Sequence, residues 1–142
     1  MMSRDKAIKT GYYSLAGKEI SKLIRKDLKK EFGKKIKFSV TTDSGYTTVI
    51  RIKVLKASKD LFKTEQEFKT EYEKYLIMNE VQQYKDLFYR FKRNDDLSLK
   101  NEVFDKIETI GNKYNYDDSD PMTDYFDKNY ICFVTGYKIE KI

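Results

Sequence analysis

Histidine is absent from this 142-residue chain. That removes the commonest general base and the commonest metal ligand. There is one cysteine, Cys132, so no internal disulfide can form and every Cys/His zinc site is excluded. A reducing compartment fits this cysteine usage. Cys132 lies in the apolar run Tyr130-Ile131-Cys132-Phe133-Val134, where a buried core thiol is expected rather than a reactive one. No apolar run approaches the roughly 20 residues of a membrane helix. The stretch Met1-Met2-Ser3-Arg4-Asp5-Lys6 leads into no apolar core of signal-peptide length. The expectation is a cytoplasmic protein with no membrane span. Glycine-rich phosphate loops are missing too, because the glycines stand singly. Carboxylate pairs such as Glu65/Glu67 and Asp95/Asp96 carry no sign of convergence or burial. Together these absences predict a protein that is not an enzyme and needs no cofactor or metal.

What is present is charge, unevenly placed. The net charge is +6, yet residues 1–59 hold 16 Lys/Arg against 5 Asp/Glu, and residues 94–127 hold 3 against 10. A basic end and an acidic end predict two differently charged faces. The length fits one domain, residues 1–142, with a core of its own.

Periodicity gives the elements. Residues 1–13 are polar and are expected to be flexible. Ser14 is placed to cap a helix running to Phe32, with Ala16, Ile20, Leu23, Ile24 and Leu28 as its buried stripe. Lys18, Lys22, Arg25 and Lys29 recur at i, i+4, i+7 and i+11 and predict a basic ridge on the opposite face. Gly33 ends the helix. Ile36–Thr41 alternates, Asp43-Ser44-Gly45 supplies a turn, and Thr48–Val54 returns with Ile50, Ile52 and Val54 inward. Lys37, Arg51 and Lys53 then share the outer face. Residues 60–92 read as helix, continuous or bent near Asn79, with an aromatic stripe through Phe68, Tyr72, Tyr75 and Leu76 and on through Val81, Tyr84, Leu87, Phe88 and Phe91. A turn at Arg93-Asn94-Asp95-Asp96 precedes a further amphipathic helix marked by Leu99, Val103, Phe104, Ile107 and Ile110, stopped by Gly111-Asn112. Residues 113–128 form an acidic, Tyr-rich loop around Pro121, and 129–139 read as a closing strand. The fold class expected is α+β: a small antiparallel sheet packed on helices, in the order α-β-β-α-α-β.

Two surfaces stand out. The basic set Lys18, Lys22, Arg25, Lys26, Lys29, Lys37, Arg51 and Lys53 is a candidate contact for DNA or RNA, since lysines give phosphate affinity without sequence preference. No helix-turn-helix, zinc finger or RNA-recognition motif accompanies it. The acidic set Tyr116, Asp117, Asp118, Asp120, Asp124 and Tyr125 mixes aromatics with charge, as protein-interface hot spots do. It does not form a calcium loop. Read from Asp118, Thr123 stands where an EF-hand needs glycine and Asn129 where it needs glutamate.

One resemblance adds a setting. The helix Ile20-Ser21-Lys22-Leu23-Ile24-Arg25-Lys26-Asp27-Leu28-Lys29-Lys30-Glu31-Phe32 leads into Ile36-Lys37-Phe38-Ser39-Val40, a Ser44-Gly45 turn and a second strand. The tail, Tyr114-Asn115-Tyr116-Asp117-Asp118-Ser119-Asp120 with Thr123-Asp124-Tyr125-Phe126-Asp127 and a strand, follows. These pieces, about half the chain, resemble the large polyvalent protein-associated domain, type twenty-nine, of phages and mobile elements. The family's Gly-Pro step after its second strand is replaced here by Lys56-Ala57-Ser58-Lys59. The resemblance implies no catalytic residues. It implies a role in establishing incoming DNA or blunting host defence. Two functions are therefore expected: an anti-CRISPR-like inhibitor that binds a host defence protein or nucleoprotein complex, or a sequence-independent nucleic-acid-binding accessory protein. Oligomeric state is left open by the sequence.

Overall fold

The computed structural model describes residues 2–78, 98–117, 129–136 and 138–142. It is α+β, with a small sheet whose inner face is covered by two helices. The first, α2 (Gly17–Phe32), follows a short strand β1 (Met2–Ser3) and a short helix α1 (Arg4–Thr10). The hairpin β2 (Ile36–Ser44) and β3 (Thr48–Ala57) comes next. Helix α3 (Glu65–Met78), helix α4 (Asn101–Gly111) and strands β4 (Tyr116–Asp117), β5 (Ile131–Thr135) and β6 (Glu140–Lys141) complete the described order. The apolar positions Val81, Tyr84, Leu87, Phe88 and Phe91, and the turn at 93–96, lie outside the described residues, as do the side chains of Tyr72, Tyr75 and Leu76.

Helix α2 forms because Ile20, Ile24, Leu28 and Phe32 fall one turn apart and are all buried. Its start differs from expectation. Ala16 is the exposed N-cap, its N–H donating to the Glu19 carboxylate at 3.4 Å, while the Ser14 hydroxyl donates to the Gly11 carbonyl. The α2 stripe packs on β2 and β3, and α4 packs on β5 through Val103 and Ile107. Ile50, Ile52 and Val54 are 0% exposed, so the inward face of the hairpin is the one the alternation indicated. Burying the four α2 side chains alone supplies a gross stabilisation of roughly 6–12 kcal/mol.

The sheet is not antiparallel throughout. Strands β2 and β3 pair antiparallel, but β5 and β6 both pair parallel to β3, giving the order β2-β3-β5 with β6 beside the end of β3. The chain leaves β3 and returns to β5 after α3 and α4, and a crossover of that length delivers a strand parallel to its neighbour. A bulge between Lys37 and Phe38 leaves Leu55 without a partner in the β2–β3 register.

Residues 2–14 take regular structure and pack against the C-terminal part of the chain. β1 pairs parallel to β4, with Met2 opposite Tyr116. The Ser3 hydroxyl caps α1, accepting from the Lys6 N–H at 3.3 Å, and Ala7 is fully buried. Gly11, at φ 82°, ends α1 in the left-handed conformation. Tyr12 then meets Tyr114 edge-on at 4.9 Å, and Tyr13 meets Tyr116 at 5.3 Å. Polar composition hid these two rings and their partners a hundred residues away. At the other end, the buried Lys63 ammonium lies 3.0 Å from Glu71, which also accepts from Asn101 at 3.2 Å, tying α3 to the start of α4.

Candidate nucleic-acid interface

All eight basic residues singled out from the sequence are exposed. Lys18, Lys22, Arg25, Lys29 and Lys37 lie along one edge of the sheet, and Arg51 and Lys53 stand on the outer face of the middle strand β3. Among the described residues strand β2 is paired only on its β3 side, and α2 packs against it. The Ser21 and Thr42 hydroxyls are hydrogen-bonded near one end. The Arg25 guanidinium donates to the Val40 carbonyl at 2.5 Å in the middle. At the far end Arg25, Leu28, Lys29, Gly33, Ile36, Lys37, Phe38 and Val40 line a groove of about 270 Å³.

These contacts correct the expected position of the basic ridge. It does not stand opposite the buried stripe. At about 100° per residue, Lys18, Lys22, Arg25 and Lys29 occupy a 60° arc directly beside Ser21, Leu28 and Phe32. The ridge therefore borders the unpaired β2 edge. Lys26 sits about 80° further round from Lys18 and is the one member directed away from it. Lys37 joins the two sides: it lines the groove from β2 and is opposite Lys56 in register. Ser39 is opposite Lys53, and Thr41 opposite Arg51, so the outer face of the sheet continues the row.

Acids that share α2 with the ridge are turned elsewhere. Asp27 takes the hydroxyl of Tyr114 and the Lys113 ammonium at 3.5 Å, and Glu31 pairs with Lys106 at 3.3 Å. Among the described residues Lys18, Lys22, Lys26, Lys29, Lys37 and Lys53 have no ion-pair partner, whereas Arg51 has Asp43 at 3.8 Å. Lys18, Lys22, Lys29 and Lys37 along this edge, with Lys53 on the outer face beside it, make a positive surface without ion-pair partners among the described residues.

The acidic set is not assembled by the described residues. Asp118, Asp120, Asp124 and Tyr125 lie outside them. Tyr116 is buried at 5% exposure against Tyr13, so its ring serves the N-terminal packing and is not offered to a partner. Asp117 is exposed at the end of β4.

For covalent chemistry the described residues provide little. The Cys132 thiol is half-buried on the inner face, and burial, with Glu108 nearby, pushes it up to about 11. Burial and the Asp27 carboxylate raise Tyr114, and burial raises Tyr130. All three hold their protons more tightly than usual, the reverse of an activated nucleophile. No group of three or more potential metal ligands occurs among the described residues, and no described helix is long and apolar enough to cross a membrane.

Sequence reasoning missed one part of this surface. Ile131 and Phe133 are 40% and 48% exposed on the outer face, beside Val49 and Arg51 in register. Every residue from Tyr130 to Val134 is apolar, so the alternation that reveals a strand's solvent face was silent here. No protein-family model, no curated protein and no solved structure matches the chain.

Proposed function

We propose that this protein binds nucleic acid through phosphate contacts, without sequence preference and without catalysis. The observation that carries this reading is the row of cations along the unpaired β2 edge, Lys18, Lys22, Arg25, Lys29 and Lys37, continued by Lys53, with the acids of α2 engaged away from it. Lysine-rich edges of this kind neutralise phosphates and release counterions, which gives affinity that falls steeply with salt. No helix-turn-helix, zinc-finger or RNA-recognition motif accompanies the row in the sequence, so the affinity is expected to be sequence-independent.

An inhibitor of a host nuclease complex is the first of the two functions expected from the sequence, and it stays a proposal. It requires the acidic stretch, of which Asp118, Asp120, Asp124 and Tyr125 lie outside the described residues. The cationic edge supports the nucleic-acid reading by itself, and it is the surface that would meet the nucleic acid of such a complex.

The test is fluorescence anisotropy with a labelled mixed-sequence duplex between 50 and 300 mM salt. Four to six phosphate contacts predict a log–log slope of about −3.5 to −5.5. Lys22→Glu with Arg25→Glu is expected to flatten the slope by about 2 and to weaken binding at 50 mM salt by at least tenfold. Absence of binding at 50 mM salt, or binding indifferent to this double charge reversal, defeats the proposal.

A further inference from the structure

Among the described residues, helices cover one face of the sheet and leave the other open. Inward, Val40, Ile52 and Val134 stack in register beneath α2 and α4. Outward, the same strands present Thr41, Arg51 and Phe133 side by side, then Ser39, Lys53 and Thr135. Phe133, the middle residue of the end strand β5, is 48% exposed on this outer face, and Ile131 is 40% exposed two residues before it. An open antiparallel or mixed face is ordinarily polar. Here a phenylalanine stands opposite an arginine on the neighbouring strand, with a lysine two residues on along β3.

We propose that this outer face is a platform for single-stranded nucleic acid, with Phe133 as the ring on which a base stacks and Arg51 and Lys53 as the groups that hold its phosphates. The inference rests on the nucleic-acid reading above and narrows it to a strand type. Single-strand binders combine a cationic track with aromatic rings, because every base has a face to stack and every nucleotide a charge to meet. A duplex offers the charge but not the base face, since its bases are already stacked on one another. A protein partner is the poorer occupant. Lysine is depleted at the centre of protein interfaces, whereas Lys37 and Lys53 stand here without ion pairs among the described residues. The two acids on this face, Asp43 and Glu140, are exposed and bridge Arg51 at 3.8 Å and Lys56 at 3.3 Å. Exposed bridges of this length are weak enough to yield to a phosphate. Lys37, on the edge strand, connects the platform to the α2 ridge, so a strand crossing the face can continue onto the ridge.

The experiment titrates the whole protein into fluorescein-labelled dT12, U12 and a 12-base-pair duplex at one salt concentration. Loss of a stacking ring is expected to weaken single-strand binding by about 5- to 100-fold. Phe133→Ala is therefore expected to cost that factor on dT12 and U12 and less than about twofold on the duplex. Phe133→Tyr is expected to retain binding. The chain contains no tryptophan, so Phe133→Trp supplies a single reporter whose emission a stacked base quenches. Quenching by dT12 but not by duplex supports the platform even where Phe133→Ala compromises folding. Four results overturn it: no quenching; unchanged single-strand affinity in folded Phe133→Ala; an equal loss on duplex and single strands; or a dimer in ultracentrifugation that Phe133→Ala converts to monomer with nucleic-acid binding intact, which makes the patch a self-association surface. If both strand types bind and both respond to Lys22→Glu with Arg25→Glu but not to Phe133, the platform fails and the broader reading stands. If nothing binds, the broader reading fails first.

Discussion

Replacing Asn115 by alanine removes a carboxamide that is 1% exposed and fully engaged. Its Nδ2 donates to the Tyr130 carbonyl at 2.8 Å and to the Asn112 side chain at 3.1 Å. Its Oδ1 accepts from the Tyr130 and Tyr116 N–H groups, both at 3.2 Å. Three buried backbone groups therefore lose this partner at once, at the point where the chain passes from α4 toward β5. Each neutral bond contributes about 1 kcal/mol net, and a buried group left unpaired costs about 1–3 kcal/mol. Partial rehydration reduces the total, so Asn115→Ala is expected to cost about 2–4 kcal/mol. Urea unfolding measures it: with a slope near 1.5 kcal/mol/M the midpoint falls by about 1–3 M. Tyr130→Phe is the internal standard. It removes one bond, from the hydroxyl to the Gly111 carbonyl at 2.6 Å, and leaves the ring buried. Its cost is expected to be about 1–2 kcal/mol. A loss below about 0.5 kcal/mol for Asn115→Ala, or one smaller than that of Tyr130→Phe, refutes the assignment of Asn115 as the buried clasp.

Three further outcomes follow from the same core. A Cβ on Gly111 lies 2.6 Å from the Cys132 sulfur and 2.8 Å from Ile52 Cδ1, so Gly111→Ala is expected to destabilise by about 1–3 kcal/mol despite alanine's better helix propensity, as read by thermal melting. With its thiol at about 11, Cys132 is expected to react with a disulfide reagent at pH 8 at least about 100-fold more slowly than in the urea-unfolded chain, followed by absorbance. Cys132, Tyr114 and Tyr130 all hold protons more tightly when folded, so above about pH 9 the unfolded chain binds fewer protons than the native one and stability falls as pH rises; unfolding midpoints measured from pH 7 to 11 are expected to be level at first and then to decline, with the decline reduced in Tyr114→Phe.

The elements that a short period defines were legible: α2 from Ile20, Ile24 and Leu28, the hairpin from Ile50, Ile52 and Val54, and α4 from Val103 and Ile107. Each of these signals is local, so no knowledge of partners is needed to see it. What stayed hidden depends on pairing across the chain. The parallel union of β3 with β5, and the docking of residues 2–15 through Tyr12 and Tyr13, are decided by segments 80 to 110 residues distant. Gly111 illustrates the same limit at one position. As a sequence signal it marks a helix end, whereas in the fold it is the buried last residue of α4, with Asn112 as the cap, and its missing side chain is what lets α4 approach Cys132.

The candidate site divides along this line as well. The spacing of Lys18, Lys22, Arg25 and Lys29 puts four cations within one 60° arc beside the buried stripe, but a helical period leaves open which other element lies next to that arc. The Arg25–Val40 hydrogen bond answers that, placing the stripe against the β2 edge, where Lys37 extends it round to Lys53 and Arg51. Phe133 required the register itself. Alternation in Ile131-Cys132-Phe133-Val134 is invisible when both faces are apolar, and a shift of one residue would have put Cys132 and Val134 outside instead. The register places Phe133 opposite Arg51, so the ring and the guanidinium share one surface only because β5 adds to β3 in parallel. An exposed ring beside a cation is therefore a consequence of the long-range topology, and a test of Phe133 is at the same time a test of that strand register.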